Sequence, residues 1–86
     1  KLIDNKDVKV NEGAQIFENV YMGPNVIIGI NTIINTGSII EHDNIIGNHS
    51  HISIGCVLGG NVKIGDNCFI GANSTILDNE FLWFST

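Results

Sequence analysis

The sequence contains no arginine, and its four lysines are outnumbered by nine aspartates and glutamates, which gives a formal net charge of −5. Nucleic acids and anionic membrane surfaces attract clustered positive charge, so neither is an expected partner. A run of 18 or more apolar residues that could span a membrane is also lacking. The chain begins at Lys1 without a charged segment followed by an apolar one, and we therefore expect a cytoplasmic location.

Internal periodicity is the strongest feature that is present. One column of aliphatic residues recurs every six positions: Val10, Ile16, Met22, Ile28, Ile34, Ile40, Ile46, Ile52, Leu58, Ile64, Ile70 and Ile76. A second column, four residues later, is small or β-branched apart from Asn44: Ala14, Val20, Val26, Thr32, Ser38, Asn44, Ser50, Cys56, Val62, Cys68 and Ser74. A third column follows each aliphatic residue directly and is often glycine, at positions 23, 29, 47, 59, 65 and 71.

A period of six matches neither an amphipathic helix nor an alternating strand. It indicates a short flat face followed by a turn. Three such repeats close one triangular coil, and the strands of successive coils stack in parallel. The sequence therefore predicts an all-β, parallel β-helix of about four coils over residues 10–76, after a lead-in of residues 1–9. The glycine column is expected at tight corners, where left-handed backbone or close approach is needed. Cys56 and Cys68 fit no metal-site spacing and are predicted to be inert buried thiols.

Residues 77–86 depart from the repeat, because Glu80 occupies the small column and no corner glycine follows Ile76. The apolar cluster of Phe81, Leu82, Trp83 and Phe84 would suit a cap on the open end of the prism, as solenoid ends require. A truncated end is the other interpretation of this segment.

His42 is the first candidate for chemistry, since it lies between Glu41 and Asp43 at the outward part of a coil. An imidazole can act as a general base at neutral pH, and a neighbouring carboxylate can orient it. The alternative is a solvated histidine between ordinary turn acids. Gly60 follows His42 by one full coil and is predicted to lie beneath it, where a missing side chain leaves room and a backbone N–H could stabilise an oxyanion.

His51 follows His42 by nine residues, which is half a coil, so the two side chains are predicted to leave different faces of the prism. They could share a site only if coils from two chains packed side by side, which would require an oligomer. His49 falls in a turn segment and is interpreted as an exposed bystander.

The repeat resembles that of the hexapeptide-repeat proteins, whose coils wind left-handed. The stretch IINTGSIIEHDNIIGNHSHISIGCVLGGNVKIGDNCFIGANSTI, residues 33–76, is similar to the sialic-acid O-acetyltransferase and UDP-4-amino-sugar N-acetyltransferase family. This resemblance implies a homotrimer with acetyl-CoA as co-substrate between adjacent β-helices, a sugar or UDP-sugar as acceptor, and no metal. It also implies His42 as catalytic base, Glu41 as its orienting acid, His51 as a contact of the acetyl group, and the Gly60 N–H beside the thioester carbonyl.

Two other functions remain open from the sequence. Members of that family usually carry an α/β domain before the β-helix and further coils after it, so the chain could be a catalytically incomplete fragment or a scaffold. The scarcity of positive charge for the CoA phosphates favours this interpretation. A zinc hydratase of the carbonic-anhydrase type would use His42, His49 and His51, but their close spacing argues against it.

Overall fold

The computed structural model describes residues 7–85, which form thirteen two-residue strands joined by turns. The strands are β1 (Lys9–Val10), β2 (Gln15–Ile16), β3 (Tyr21–Met22), β4 (Ile27–Ile28), β5 (Ile33–Ile34), β6 (Ile39–Ile40), β7 (Ile45–Ile46), β8 (His51–Ile52), β9 (Val57–Leu58), β10 (Lys63–Ile64), β11 (Phe69–Ile70), β12 (Thr75–Ile76) and β13 (Phe81–Leu82). Within these residues no helix forms, and hence none that could cross a membrane.

Every third strand belongs to the same sheet. The first sheet has the order β1-β4-β7-β10-β13, the second contains β2-β5-β8-β11, and the third contains β3-β6-β9-β12. All pairs are parallel, and partners recur one coil apart, as Ile27 and Ile45 do. The predicted parallel β-helix of about four coils is confirmed, and its left-handed winding stays a prediction from the resemblance.

The aliphatic column forms the core. Its members from Met22 to Ile70 are all buried, whereas Val10 at the first coil is 41% exposed. Burying an isoleucine side chain contributes about 1.5–3 kcal/mol, so these stacked side chains supply the main stabilisation of the prism. The aliphatic column therefore points into the prism.

The small column lines the inner corners with a ladder of hydrogen bonds. The Thr32 hydroxyl donates to the Gly47 carbonyl oxygen (2.5 Å) and accepts the Ser50 N–H (3.1 Å). Ser50 repeats this arrangement one coil later, with the carbonyl of Gly65 and the N–H of Cys68. Cys56 and Cys68 are buried and form no disulfide, and burial raises the pKa of the Cys56 thiol.

The glycines that follow the aliphatic column allow close approach of the coils and do not adopt left-handed backbone. The expectation of left-handed backbone at this column is therefore wrong. Positive φ recurs two residues after the glycine column, at positions filled mostly by asparagine: Asp7, Gly13, Asn19, Asn25, Asn31, Gly37, Asp43, His49, Gly55, Asn61, Asn67, Asn73 and Asn79. A Cβ on Gly29 would instead lie 2.5 Å from the carbonyl carbon of Gly47. At Gly29 the next coil is therefore too close for a side chain.

The repeat continues through the C-terminal segment. Phe81 pairs with Lys63, and Leu82 pairs with Ile64 and packs against the core. Phe81 and Trp83 remain 54% and 66% exposed, with their ring centroids 4.6 Å apart. The boundary placed after Ile76 stays a prediction, as does a cap formed by the aromatic residues.

Candidate functional site

His42 lies at the corner between the third and first sheets, in the turn from β6 to β7. Backbone hydrogen bonds hold this turn to the coils on both sides: the Asp43 N–H donates to Pro24, and the His42 carbonyl accepts from Asn61. The turn is therefore held between the preceding coil and the following one.

Asp43 is the direct partner of the His42 imidazole. Its Oδ2 lies 2.9 Å from His42 Nδ1, and both side chains are about half exposed, at 51% and 54%. This hydrogen bond is the largest cause that raises the pKa of His42 above 6.5; desolvation opposes it, and the charges of Asp43, Glu41 and Asp78 add to it. When Nδ1–H donates to the carboxylate, the neutral imidazole keeps its lone pair on Nε2, as a general base requires.

Glu41 acts on His42 only through its charge. The sequence resemblance gave it the role of orienting acid, and that role stays a prediction, because the hydrogen-bonded carboxylate is that of Asp43. Both acids were visible in the sequence beside His42. Asp43 adopts a left-handed backbone (φ 61°), and the conformation of such a turn decides which carboxylate faces the ring.

Gly60 lies against the imidazole, as its one-coil separation from His42 predicts. A Cβ at Gly60 would come within 2.6 Å of His42 Cε1, so the missing side chain makes room for the ring itself. The Gly60 N–H donates to Oδ1 of Asp78 (3.2 Å), one coil further on. Its role beside a thioester carbonyl stays a prediction, and the Asp78 carboxylate would have to release this N–H first.

His51 belongs to β8 in the second sheet, which is opposite the corner that carries His42. The Asn35 Nδ2 lies 3.4 Å from His51 Nε2, and the ring of Phe69 meets the imidazole edge-on at a centroid distance of 5.2 Å. One chain thus keeps His51 away from His42, as the half-coil spacing predicts. The acetyl-contact role of His51 stays a prediction.

His49 is exposed and occupies a left-handed turn position (φ 55°), consistent with its interpretation as a bystander. Across residues 7–85, no three side chains of histidine, cysteine, aspartate or glutamate come together in a way that could hold a metal ion.

Asn44 is a part of the site that the sequence did not assign. It is fully buried below the His42 corner, and its Nδ2 donates to the carbonyl oxygens of Glu41 (2.8 Å), His42 (3.3 Å) and Gly59 (2.8 Å). Its Oδ1 is buried without a hydrogen-bond partner in the described part of the chain. The sequence offers one signal for Asn44: it is the member of the second column that is neither small nor β-branched.

Two solved structures illustrate what the chain is similar to. One is a GDP-perosamine N-acetyltransferase variant from Caulobacter crescentus in complex with CoA and GDP-perosamine, with 18% identity and a TM-score of 0.46 over 95% of this chain and 53% of that one. The other is the acetyltransferase domain of PglB from Neisseria gonorrhoeae, with 16% identity and a TM-score of 0.46 over 99% of this chain and 50% of that one. The chain spans about half the length of these proteins.

Sequence comparison gives a family for part of the chain. A search of curated proteins finds no match. Residues 45–78 match the family described as bacterial transferase hexapeptide (six repeats). This segment runs from β7 to the turn after β12, in the same six-residue register as the rest of the solenoid. The match covers less than half of the chain, and over residues 45–78 the chain is similar to the hexapeptide repeats of the bacterial transferases.

Proposed function

We propose that the chain is the β-helix portion of an acetyl-CoA-dependent acetyltransferase that acts on the amine or hydroxyl of a sugar or nucleotide sugar. The observation that carries this proposal is the half-exposed imidazole of His42, whose Nδ1 is held by Asp43. Proton transfer is then assigned to Nε2, the ring nitrogen beside Gly60. The hexapeptide repeats agree with a transferase, and the class of acceptor rests on the resemblance over residues 33–76.

In the proposed reaction, neutral His42 accepts the proton of the acceptor amine or hydroxyl as that group attacks the thioester carbonyl of acetyl-CoA. The new amide or ester bond forms, the carbon–sulfur bond breaks, and the proton passes from His42 to the CoA thiolate. Asp43 stabilises the transient imidazolium through the Nδ1–H hydrogen bond. No oxidant or further reactant is needed.

The proposed assembly is a homotrimer, with each site formed between two chains. His42 occupies a corner and His51 the opposite face, so a single prism cannot bring both to one substrate. A second copy whose β8 face packs beside the His42 corner would complete the site, with acetyl-CoA in the cleft between them. Closed cyclic symmetry then generates identical sites.

Substitution of His42 tests the proposal. His42→Ala should lower kcat by about 100-fold, since a positioned base contributes about 10²–10⁴-fold. The assay follows CoA thiol release with a panel of sugar and UDP-sugar amines and alcohols. His49→Asn is the matched control, because asparagine fills many of the equivalent left-handed turn positions and should leave activity unchanged. Near-normal turnover by a folded His42→Ala variant would contradict the assignment.

A scaffold without catalysis is the second candidate, favoured by the absence of arginine for the CoA phosphates. Calorimetric titration with acetyl-CoA separates the two functions. A saturable heat supports the transferase, and no detectable binding supports the scaffold.

A further inference from the structure

We propose that Asn44 is a positioning residue that fixes the backbone on both sides of His42. The kinetic part of this inference rests on the proposed acetyltransferase function, whereas its structural part does not. Asn44 is 0% exposed and its amide donates to three carbonyl oxygens, those of Glu41, His42 and Gly59. It makes no contact with substrate in this proposal and acts through His42.

The three carbonyls identify what Asn44 holds. The carbonyls of Glu41 and His42 belong to the peptide groups that precede and follow the Cα of His42. The carbonyl of Gly59 belongs to the peptide group that precedes Gly60, against which the imidazole lies. One buried amide therefore links the backbone that aims the His42 side chain to the backbone that supports its ring.

The repeat itself does not require an asparagine at this place. The same corner has Val26 one coil earlier and Val62 one coil later, and both are fully buried. Ser38, elsewhere in the column, satisfies its hydroxyl completely: it donates to the Ser53 carbonyl oxygen (2.8 Å) and accepts the Cys56 N–H (3.2 Å). Valine and serine both fit this column without an unsatisfied atom.

Asn44 follows only half of the pattern that Ser38 shows. Its Nδ2 reaches the carbonyl of Gly59 in the next coil, but its Oδ1 remains without a partner among the described residues. A buried acceptor without a hydrogen bond lowers stability. A serine hydroxyl has one proton: Ser38 and Ser50 donate it to the next coil, and Ser74 donates it to Gly71 within its own turn. What asparagine adds is an amide nitrogen with two protons, which bonds the next coil and the carbonyls that flank His42 at the same time. The unsatisfied Oδ1 thus lowers the stability of the fold, whereas Nδ2 of the same side chain holds the backbone around His42.

Asn44→Ser is the variant that separates these effects. Serine can keep the bond to Gly59 and accept the Val62 N–H, as Ser38 and Ser50 do in their coils. We expect the thermal midpoint to equal or exceed that of the unmodified chain. Once its single proton is donated to Gly59, serine has none left for the peptides that flank His42. The bond between His42 and Asp43 should then be populated less, and the His42 pKa, measured by NMR titration, should fall toward 6.5.

For turnover, we expect Asn44→Ser to lower kcat about tenfold with an unchanged KM for acetyl-CoA, because only orientation of the base is affected. Thr32→Val is the matched control: it removes a ladder hydroxyl at a corner away from His42. That variant should lose stability but keep the His42 pKa and kcat. Asn44→Val, which matches Val26 and Val62, is the second variant and should behave as Asn44→Ser does at His42.

An unchanged His42 pKa and kcat in folded Asn44→Ser would overturn the inference, because Asn44 would then serve the fold alone. Loss of folding in both Asn44 variants would overturn it for the same reason. If the unmodified chain transfers no acetyl group to any acceptor, the proposed function fails by itself, and the NMR titration still decides whether Asn44 positions His42.

Discussion

At the scale of single residues, the environment of His42 sets both its charge and its direction. Asp43 accepts the hydrogen bond from Nδ1, and this contact is the largest cause that raises the pKa of His42 above 6.5. A raised pKa leaves more of the imidazole protonated near neutral pH, and only the neutral form can take a proton. The same carboxylate therefore orients the base and shifts the pH range in which it works.

Asp43→Asn should separate these two effects. In the unmodified chain, kcat/KM should rise with pH through the raised pKa of His42. Without the carboxylate that pKa falls, so the rising limb should move toward lower pH, while the plateau drops about tenfold because the imidazolium loses its partner. The fold should tolerate the change, since asparagine occupies many equivalent left-handed positions. A pH–rate profile checks both expectations.

Glu41→Gln is the comparison for that profile. Glu41 affects His42 through charge without a hydrogen bond. The rising limb of kcat/KM for Glu41→Gln should therefore move less than that of Asp43→Asn, and its plateau should stay near that of the unmodified chain. A larger loss in Glu41→Gln than in Asp43→Asn would restore Glu41 as the orienting acid.

The sequence correctly predicted the contact between single residues that follows from counting hexapeptide repeats. Three hexapeptide steps are enough to stack Gly60 on His42. Counting cannot show which of two adjacent acids reaches the ring, because that choice depends on turn dihedral angles. Nor can it show that Asp78 already accepts the Gly60 N–H, because that contact also depends on a side-chain rotamer in the next coil.

At the scale of the coil, two kinds of glycine have different functions. Gly47 belongs to the close-approach column, where a Cβ would lie 2.6 Å from the carbonyl carbon of Gly65. Gly37 belongs to the left-handed column (φ 72°), and a Cβ there would have no neighbour within 4 Å. The sequence places them at different positions of the repeat, one and three residues after the aliphatic column, but it does not show which position is left-handed and which is close to the next coil.

Thermal unfolding of two single variants tests this distinction. Gly47→Ala should lose about 1–3 kcal/mol, because besides the Asp66 carboxylate it meets the backbone of Gly65, which cannot move without separating the coils. Gly37→Asn should be nearly neutral, since asparagine fills the equivalent position in most other turns and open space surrounds the site. Similar midpoints for the two variants would mean that the stacking of coils is looser than these distances imply.

At the scale of the whole molecule, the prism holds His42 and His51 on opposite sides. His51 is fixed by parallel pairing with the strands of the coils on both sides. The turn that carries His42 is held by backbone hydrogen bonds to the coils on both sides, at the corner opposite the sheet of His51. The half-coil spacing was sufficient to predict this separation from sequence. It could not show an assembly, because exposed residues of a solenoid face follow the same six-residue pattern whether or not another chain covers them.

Mixing two inactive variants tests the proposed trimer. His42→Ala keeps His51, and His51→Ala keeps His42, so a mixed trimer contains one intact pair among its three sites. Unfolding and refolding the two variants together in equal amounts should restore about one quarter of the unmodified activity, because about three quarters of randomly assembled trimers are mixed and one site in three works. Each variant refolded alone provides the baseline, and light scattering gives the mass of the assembly. If His42 and His51 served one site within a single chain, mixing would restore nothing, since every chain would lack one of the two.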